Sequence, residues 1–145
     1  MSAYVDTGFL CSLYAPDDHT RKAVARMARQ PLPLPFVWLH QLELRNALRL
    51  RVFRGEITGA QRDASLNTML ADLAAGVLAH GAPPLGEVMT EAERLSALHS
   101  ETIGTRSLDI LHVASAVVLG AKEFLTFDQR QAALAKAAGL KVPAL

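Results

Sequence analysis

The stretch from residue 106 to residue 128 constrains the fold most, because it predicts a helix, a turn and a strand with an aspartate at each end. From Asp109 to Leu119 the residues are apolar or small, and Gly120 is a natural helix stop. Residues 123–127 are rich in aromatic and β-favouring side chains. A helix of this length descends about 16 Å, and the strand climbs about the same distance back. Asp109 and Asp128 are therefore expected at the same edge of the fold.

Strands and helices alternate along the rest of the chain, which predicts an α/β fold with a parallel sheet. The predicted strands are 3–5, 36–39 and 76–79, with a last short strand at 141–142. The predicted helices are 9–14, Asp18 or Thr20 to 29, 40–54, 58–75, 90–102 and the segment after Asp128 to 138. Residues 1–145 are expected to form one domain, because the chain is long enough for a core and contains no repeat or long linker.

Three local patterns add detail to these elements. Val24, Met27 and Ala28 are expected on the inner face of the second helix. The run that begins at Thr90 has the pattern of a capping box, which predicts a helix start there. Trp38 is most simply a core residue at a strand end.

Four carboxylates are predicted at the carboxyl ends of the strands, where ligands bind in sheets of this kind. Asp6 and Asp128 directly follow strands, and Asp109 opens the helix that leads back into the sheet. Glu43 lies one turn past the second strand, on an apolar helix face where glutamate is seldom buried unless it is paired. Each of the three aspartates also precedes a predicted helix, so helix capping is the alternative explanation for them.

Such a cluster of carboxylates predicts a bound cation. Two carboxylates about 4 Å apart repel by about 4 kcal/mol at an effective dielectric near 20, so four of them require a counter-charge. Hard oxygen ligands favour Mg²⁺ or Mn²⁺. The single cysteine, Cys11, excludes a multi-cysteine zinc site.

Four segments resemble the motifs of PIN-domain proteins and, more narrowly, of VapC-type toxins from toxin–antitoxin pairs. In chain order they are YVDTGFL at 4–10, LELRNAL at 42–48, SLDILHVA at 107–114 and LTFDQRQ at 125–131. The resemblance implies a three-layer α/β/α sandwich with a short parallel sheet and a metal-dependent endoribonuclease activity. It also implies that Asp6, Glu43, Asp109 and Asp128 hold one or two Mg²⁺ or Mn²⁺ ions, and that a cognate antitoxin protein is a partner.

Three polar residues lie beside these carboxylates in the sequence. Thr7 and Thr126 place a hydroxyl where it could orient a carboxylate or a water molecule, although packing at a strand end explains them equally well. Asn46 is one helical turn from Glu43 and could donate a hydrogen bond to it.

Four arginines are the expected contacts for RNA phosphates. Arg45 and Arg49 share a face of the Glu43 helix, although arginines on a solvated helix face are ordinary. Arg106 and Arg130 flank the aspartates, where a phosphate contact, a salt bridge to the carboxylates and an acidic group of the antitoxin are all open.

Two other enzyme classes fit the same residues less well. Asp6 would suit the nucleophile of a haloacid-dehalogenase-type site, but the second aspartate of such a site is replaced by Gly8. The glycine–lysine loop of a Walker-type NTPase does not occur in the sequence. A non-catalytic or housekeeping PIN-domain protein that binds or processes RNA is the remaining alternative. His112, one turn from Asp109, is expected to be a buried histidine bonded to Asp109 or to the backbone.

Composition bounds the partners. Half of the residues are hydrophobic, which favours additional buried surface in a homodimer or under a partner. The net charge of +1 does not by itself indicate a polyanion as partner. The longest apolar stretch, 110–121, is shorter than the roughly 20 residues that a membrane span needs. No secretory signal pattern is visible, so a cytoplasmic protein without a membrane partner is expected.

Overall fold

The structure, a computed structural model, describes residues 2–145. Within that range it contains four strands, β1 Ala3–Val5, β2 Leu34–Phe36, β3 Leu78–His80 and β4 Glu123–Leu125. It also contains seven helices: α1 Thr7–Tyr14, α2 Thr20–Met27, α3 Trp38–Phe53, α4 Gly59–Ala74, α5 Leu85–Ile103, α6 Ser107–Val118 and α7 Gln129–Ala137. The strands pair in parallel, β1 with β4 and β2 with β3, so the predicted α/β class is confirmed. No helix in the described range has the length and apolarity to cross a bilayer.

The chain divides into two compact units. The terminal unit consists of residues 1–6 and 82–145, and the central unit consists of residues 7–81. The terminal unit therefore combines two segments that are far apart in the sequence. The expectation of one domain over residues 1–145 stays a prediction.

The terminal unit is built on the pairing of β1 with β4. Tyr4 lies opposite Phe124 in the register, both side chains are fully buried, and their rings stack with centroids 5.6 Å apart. Helix α6 ends before Gly120, whose φ of 73° lies in the left-handed region that glycine adopts without strain, as predicted. The predicted last strand is reduced to one residue, Lys141, which bridges Glu123 in parallel.

The central unit combines the β2–β3 pair with helices α1 to α4. The Tyr14 hydroxyl donates to Asp72 Oδ2 at 2.6 Å and joins α1 to α4. Burial, then the hydrogen bond to Asp72 and its negative charge, raises the pKa of Tyr14 well above its ordinary value. These contacts hold the helices of this unit together.

A second polar contact of the central unit ties the start of α2 to α3. Arg51 Nη2 lies 3.2 Å from Asp17 Oδ2, and Ser12 donates to the same oxygen at 2.8 Å. Burial raises the pKa of the Asp17 carboxyl, but the hydrogen bonds from the His19 backbone, Ser12 and Arg51 outweigh it, so the net pKa is lowered.

The predicted strand at 36–39 is wrong in its bounds. The strand begins at Leu34 and ends at Phe36, and Trp38 already opens α3 with 40% of its surface exposed. Val37 is the extended residue before that helix, and its backbone N–H donates to His40 Nδ1 at 3.0 Å. The run of aromatic and β-branched residues at 36–38 therefore continues into α3. The side chain of His40, in the first turn of that helix, accepts the N–H of the residue before the helix.

The prediction for α5 is also wrong at its start. This helix begins at Leu85 after Pro84, and the Thr90 hydroxyl donates to the Gly86 carbonyl at 2.9 Å inside the helix. Thr90 therefore occupies a helix-interior position, where a threonine hydroxyl commonly bonds back to the preceding turn.

The inner face of α2 was predicted one position off. Ala23 is its buried residue, whereas Val24 is 52% exposed. The helix covers only eight residues, and the residue that precedes it is His19, so neither Asp18 nor Thr20 is its cap as predicted. So short a pattern does not separate neighbouring faces by periodicity.

Candidate active site

Asp6 lies where β1 ends. Its backbone N–H donates to the Leu125 carbonyl at 3.3 Å, which extends the parallel pairing one residue beyond the strand. Thr126 is the residue that follows β4, the strand opposite β1, and its hydroxyl donates to Asp6 Oδ2. Both side chains are buried, with 6% and 7% of their surface exposed. The strand register thus places a threonine hydroxyl directly on this carboxylate.

Asp128 is connected to the same hydroxyl. Its backbone N–H donates to Thr126 Oγ1 at 3.0 Å. Its side chain caps α7, because Oδ1 accepts from the backbone N–H groups of Arg130 at 2.8 Å and Gln131 at 3.0 Å. The capping alternative is therefore confirmed for this aspartate. One carboxylate oxygen caps the helix, and the other, Oδ2, is the atom nearest Arg106.

Asp109 is the third residue of α6. It lies inside the helix, so the capping alternative does not apply to it. The residue before the helix is Arg106, in an extended conformation with ψ of 157°. Asp109 lies in the first turn, where a negative charge is favoured by the helix dipole. Its Oδ2 accepts from Arg106 Nε at 3.0 Å, and 17% of its side chain is exposed.

Arg106 lies between two of the predicted carboxylates. Its Nη2 is 4.0 Å from Asp128 Oδ2, while its Nε binds Asp109. The two aspartates at the ends of the helix–strand stretch are thus within reach of one guanidinium, as the element lengths predicted. Arg130 behaves differently, because its Nη1 donates to the Gly104 carbonyl at 3.3 Å. Both arginines line an open cavity together with Asp128 and Gln129.

Gln131 is a residue at this site that the sequence analysis missed. Its side chain is 2% exposed, and its Nε2 donates to the Asp109 carbonyl at 3.3 Å. Gln131 therefore connects the first turn of α7, which Asp128 caps, to the first turn of α6, which contains Asp109. The signal in the sequence is its position three residues after the capping residue Asp128, where a glutamine is typical of a capping box.

The other predicted site residues belong to the central unit. Glu43 on α3 is partly buried, and its Oε1 accepts from the hydroxyl of Thr7, the first residue of α1, at 2.9 Å. Asn46 is exposed. Arg45 is partly buried and donates from Nε to Gln41 at 3.3 Å, and Arg49 is exposed. Glu43 therefore has the polar partner that a partly buried glutamate requires, and the roles of these residues stay predictions.

His112 lies in the core of the terminal unit. It is 2% exposed, and its Nδ1 is 2.8 Å from the hydroxyl of Tyr4. The expectation of a buried helix histidine is confirmed. Its partner Tyr4 is 108 residues away in the sequence, which is why the pattern around His112 did not identify it.

The donor set fits a hard divalent cation in its chemistry, because Asp6, Asp109 and Asp128 offer carboxylate oxygens. Within residues 2–145, no group of three or more His, Cys, Asp or Glu side chains is arranged so that it could hold a metal ion. The guanidinium of Arg106 instead supplies the positive charge beside two of the aspartates. Metal binding therefore stays a prediction.

Three solved structures resemble the chain over nearly its whole length. The toxin VapC20 of Mycobacterium tuberculosis, described as cleaving the Sarcin-Ricin loop, is 19% identical with a TM-score of 0.71, over 96% of each chain. FitAcB from Neisseria gonorrhoeae is 18% identical with a TM-score of 0.64, over 98% of this chain and 96% of that chain. VapBC2 from Rickettsia felis, bound to a DNA fragment from its promoter, is 13% identical with a TM-score of 0.66, over 99% of this chain and 98% of that chain.

The sequence alone gives no comparable match. No protein-family model matches it, and no curated protein matches it either. The likeness therefore lies in the three-dimensional arrangement, and it agrees with the motifs at 4–10, 42–48, 107–114 and 125–131. The chain has the PIN-domain fold.

Proposed function

We propose that this protein is a divalent-cation-dependent endoribonuclease and the toxin of a toxin–antitoxin pair. The observation that carries the proposal is the connection of three aspartates from three separate segments of the terminal unit. Thr126 bonds to both Asp6 and the backbone of Asp128, and Arg106 reaches both Asp128 and Asp109. Carboxylates close to one another repel, and a cation bound among them would relieve that repulsion.

The proposed chemistry needs Mg²⁺ or Mn²⁺, which when bound would polarise the phosphodiester and activate a water molecule. Asp6, Asp109 and Asp128 would hold the ion. Thr126 orients Asp6 through its hydroxyl, and the backbone N–H groups at the start of α7 fix the direction of the Asp128 carboxylate. Glu43 is proposed as a fourth ligand on the family resemblance, with Thr7 as the residue that orients it.

RNA is the proposed substrate. VapC20, which shares the fold, is described as a toxin that cleaves the Sarcin-Ricin loop. Arg106 and Arg130 line the cavity beside Asp128, and Arg45 and Arg49 lie on α3 with Glu43. We propose that these four arginines contact the phosphates of the RNA, since guanidinium groups are suited to bidentate phosphate binding.

A protein partner is proposed from the surface of the central unit. Helix α3 exposes four large apolar side chains: Trp38 at 40%, Leu42 at 70%, Leu50 at 42% and Phe53 at 87%. Apolar side chains beside arginines suit an amphipathic antitoxin helix with acidic residues. The solved VapBC2 structure shares the fold and supports an antitoxin as the partner.

We propose that the protein is a homodimer in the cytoplasm. The dimer is proposed because half of the residues are hydrophobic, which is more than one small core needs. Light scattering at micromolar concentration measures this state. A dimer mass is expected, and a monomer mass would contradict this part of the proposal.

The function is tested by the substitutions Asp6→Asn and Asp109→Asn. Asparagine keeps the shape of the side chain and removes the charge that an ion requires, so cleavage of RNA should fall by at least about 100-fold, the equivalent of several kcal/mol of transition-state stabilisation. Asp63→Asn is the matched control, because its side chain is 62% exposed and paired only to Arg62 on the surface. Cleavage is measured on total RNA in Mg²⁺, with EDTA as a second control.

Circular dichroism and a thermal melt show that the variants remain folded. Wild-type rates in both aspartate variants, or full activity in EDTA, would contradict the proposed nuclease.

A further inference from the structure

We infer that Arg106 is an internal counter-cation that competes with the divalent ion for Asp109 and Asp128. It thereby sets the concentration of the ion at which the site fills. The inference rests on the proposed function, and it assigns to Arg106 a role in cation binding that is separate from contact with RNA.

The first support is the position of the guanidinium. Nε lies 3.0 Å from Asp109 Oδ2, and Nη2 lies 4.0 Å from Asp128 Oδ2. Asp128 uses Oδ1 to cap α7, so Oδ2, which faces Arg106, is the oxygen that remains for a ligand. A divalent ion held between the two aspartates would take the position of the guanidinium, so guanidinium and ion compete there.

The second support is that the ion pairs of Arg106 with the aspartates are weak. The Arg106 side chain is 72% exposed, and an exposed ion pair stabilises a protein by only about 0–1 kcal/mol. The backbone of Arg106 is fixed independently of that side chain, because its carbonyl accepts the Ile110 N–H at 3.0 Å at the start of α6. Only the side chain has to move when an ion binds.

The third support is the state of the carboxylates. Among residues 2–145, no set of three metal-ligating side chains is arranged around a common point, and the nearest positive charge to two of the aspartates is that of Arg106. The carboxylates are thus arranged around a guanidinium. Without it, their mutual repulsion would be relieved only by a bound cation.

Arg130 provides a matched comparison within the same cavity. It lines the cavity with Arg106 and has the same charge, but its Nη1 binds the Gly104 carbonyl. Removal of Arg130 changes the general field near Asp128, whereas removal of Arg106 also frees the carboxylate oxygens. The two substitutions therefore separate direct competition from net charge.

The experiment measures Mn²⁺ binding without RNA, by the loss of the electron paramagnetic resonance signal of free Mn²⁺ and by calorimetry. Wild type is compared with Arg106→Gln, Arg106→Lys and Arg130→Gln. Arg106→Gln should lower the Kd for Mn²⁺ about three- to fivefold, the size expected when an exposed ion pair near the upper end of the range of about 0–1 kcal/mol is lost. Arg130→Gln should change the Kd by about twofold or less, and Arg106→Lys should fall between the two.

The outcomes distinguish the inference from the function on which it rests. If wild type binds Mn²⁺ and the Kd of Arg106→Gln is unchanged or higher, the inference alone is overturned. The same holds if Arg106→Gln and Arg130→Gln lower the Kd equally. Binding by Arg106→Gln but not by wild type would support it in its strongest form. An absence of binding in every folded variant would overturn the proposed metal site together with the inference.

Discussion

The terminal and central units use polar side chains in different ways. In the terminal unit the polar contacts converge on carboxylates, as in the series Asp6, Thr126 and Asp128 and in the ion pairs of Arg106. In the central unit they join one helix to another, as Tyr14 does with Asp72. The terminal unit thus links its carboxylates to one another through shared partners, whereas Asp72 and Asp17 of the central unit link helices.

Glu43 is the residue most able to break this comparison, because it is a predicted ligand in the central unit. Glu43→Gln should lower RNA cleavage about 10- to 100-fold, the equivalent of about 1.4–2.7 kcal/mol of activation free energy. The matched control is Asp72→Asn, which removes a carboxylate of the same unit whose partner is Tyr14. Asp72→Asn should leave cleavage within about twofold of wild type.

Initial rates in Mg²⁺ measure both variants. Unchanged cleavage in Glu43→Gln would confine the chemistry to the terminal unit. Equal losses in the two variants would mean that scaffold contacts control activity as strongly as the predicted ligand.

Two tyrosines allow the same deletion of one hydroxyl in each unit. Tyr4→Phe removes the partner of His112 Nδ1 in a fully buried environment, and should cost about 1–3 kcal/mol of unfolding free energy. Tyr14→Phe should cost about 1 kcal/mol or less, because Asp72 is only partly buried and can be rehydrated. Urea denaturation at neutral pH measures both losses, and a larger loss for Tyr14→Phe would reverse the expected order.

The arginines sharpen the comparison for RNA binding. In metal-free Asp6→Asn protein, four phosphate contacts from Arg45, Arg49, Arg106 and Arg130 should give a slope of about −3 for log affinity against log salt. The double substitution of Arg45 and Arg49 by Ala should remove about 1.4 of that slope, and Arg130→Ala should remove about 0.7. Fluorescence anisotropy with single-stranded RNA measures the slopes.

Arg94→Ala is the control for this titration, since Arg94 is paired to Glu91 on the surface of α5. Its slope should equal that of the parent variant. A flat titration for the parent itself would exclude these arginines as the RNA path.

The smallest expected effect concerns Asp17 and acid pH. Its folded-state pKa lies below its ordinary value of 3.8, so its contribution to stability is present above pH 3.8 and is lost as the pH falls through the folded pKa. Because the Asp17 side chain keeps 27% of its surface in solvent, Asp17→Asn should cost only about 0.5 kcal/mol or less at pH 7, and less as the pH falls through the folded pKa. Thermal melts at pH 7 and near pH 2 measure this, with the exposed neighbour substitution Asp18→Asn as control. A loss that persists at pH 2 would show that the charge of Asp17 is not responsible.

Part of this organisation was predictable from the sequence because it depends on element lengths. A helix and a strand that cover similar distances return the chain to its starting edge, which is why Asp109 and Asp128 were expected together and share Arg106. The parallel pairing also followed from the alternation of helices and strands.

The remaining contacts depend on pairings that no local pattern contains. Gln131 reaches the Asp109 carbonyl, and Tyr4 reaches His112 across 108 residues. The start of β2 was missed because Pro35 lies within that strand, where a prolyl residue weakens the prediction of a strand. These features follow from the packing of distant segments, which propensity and periodicity do not encode.

The connection of Thr126 to Asp6 has a consequence for the order in which the protein is made. The two residues are 120 positions apart, and the whole central unit is synthesised between them. At about 5–20 residues per second, Asp6 leaves the ribosome's catalytic centre roughly 6–24 s before its threonine partner exists. The central unit can fold during that interval, but the carboxylate arrangement of the terminal unit cannot. Under the proposed function, a nascent chain is therefore unable to cut RNA before Thr126 has been synthesised.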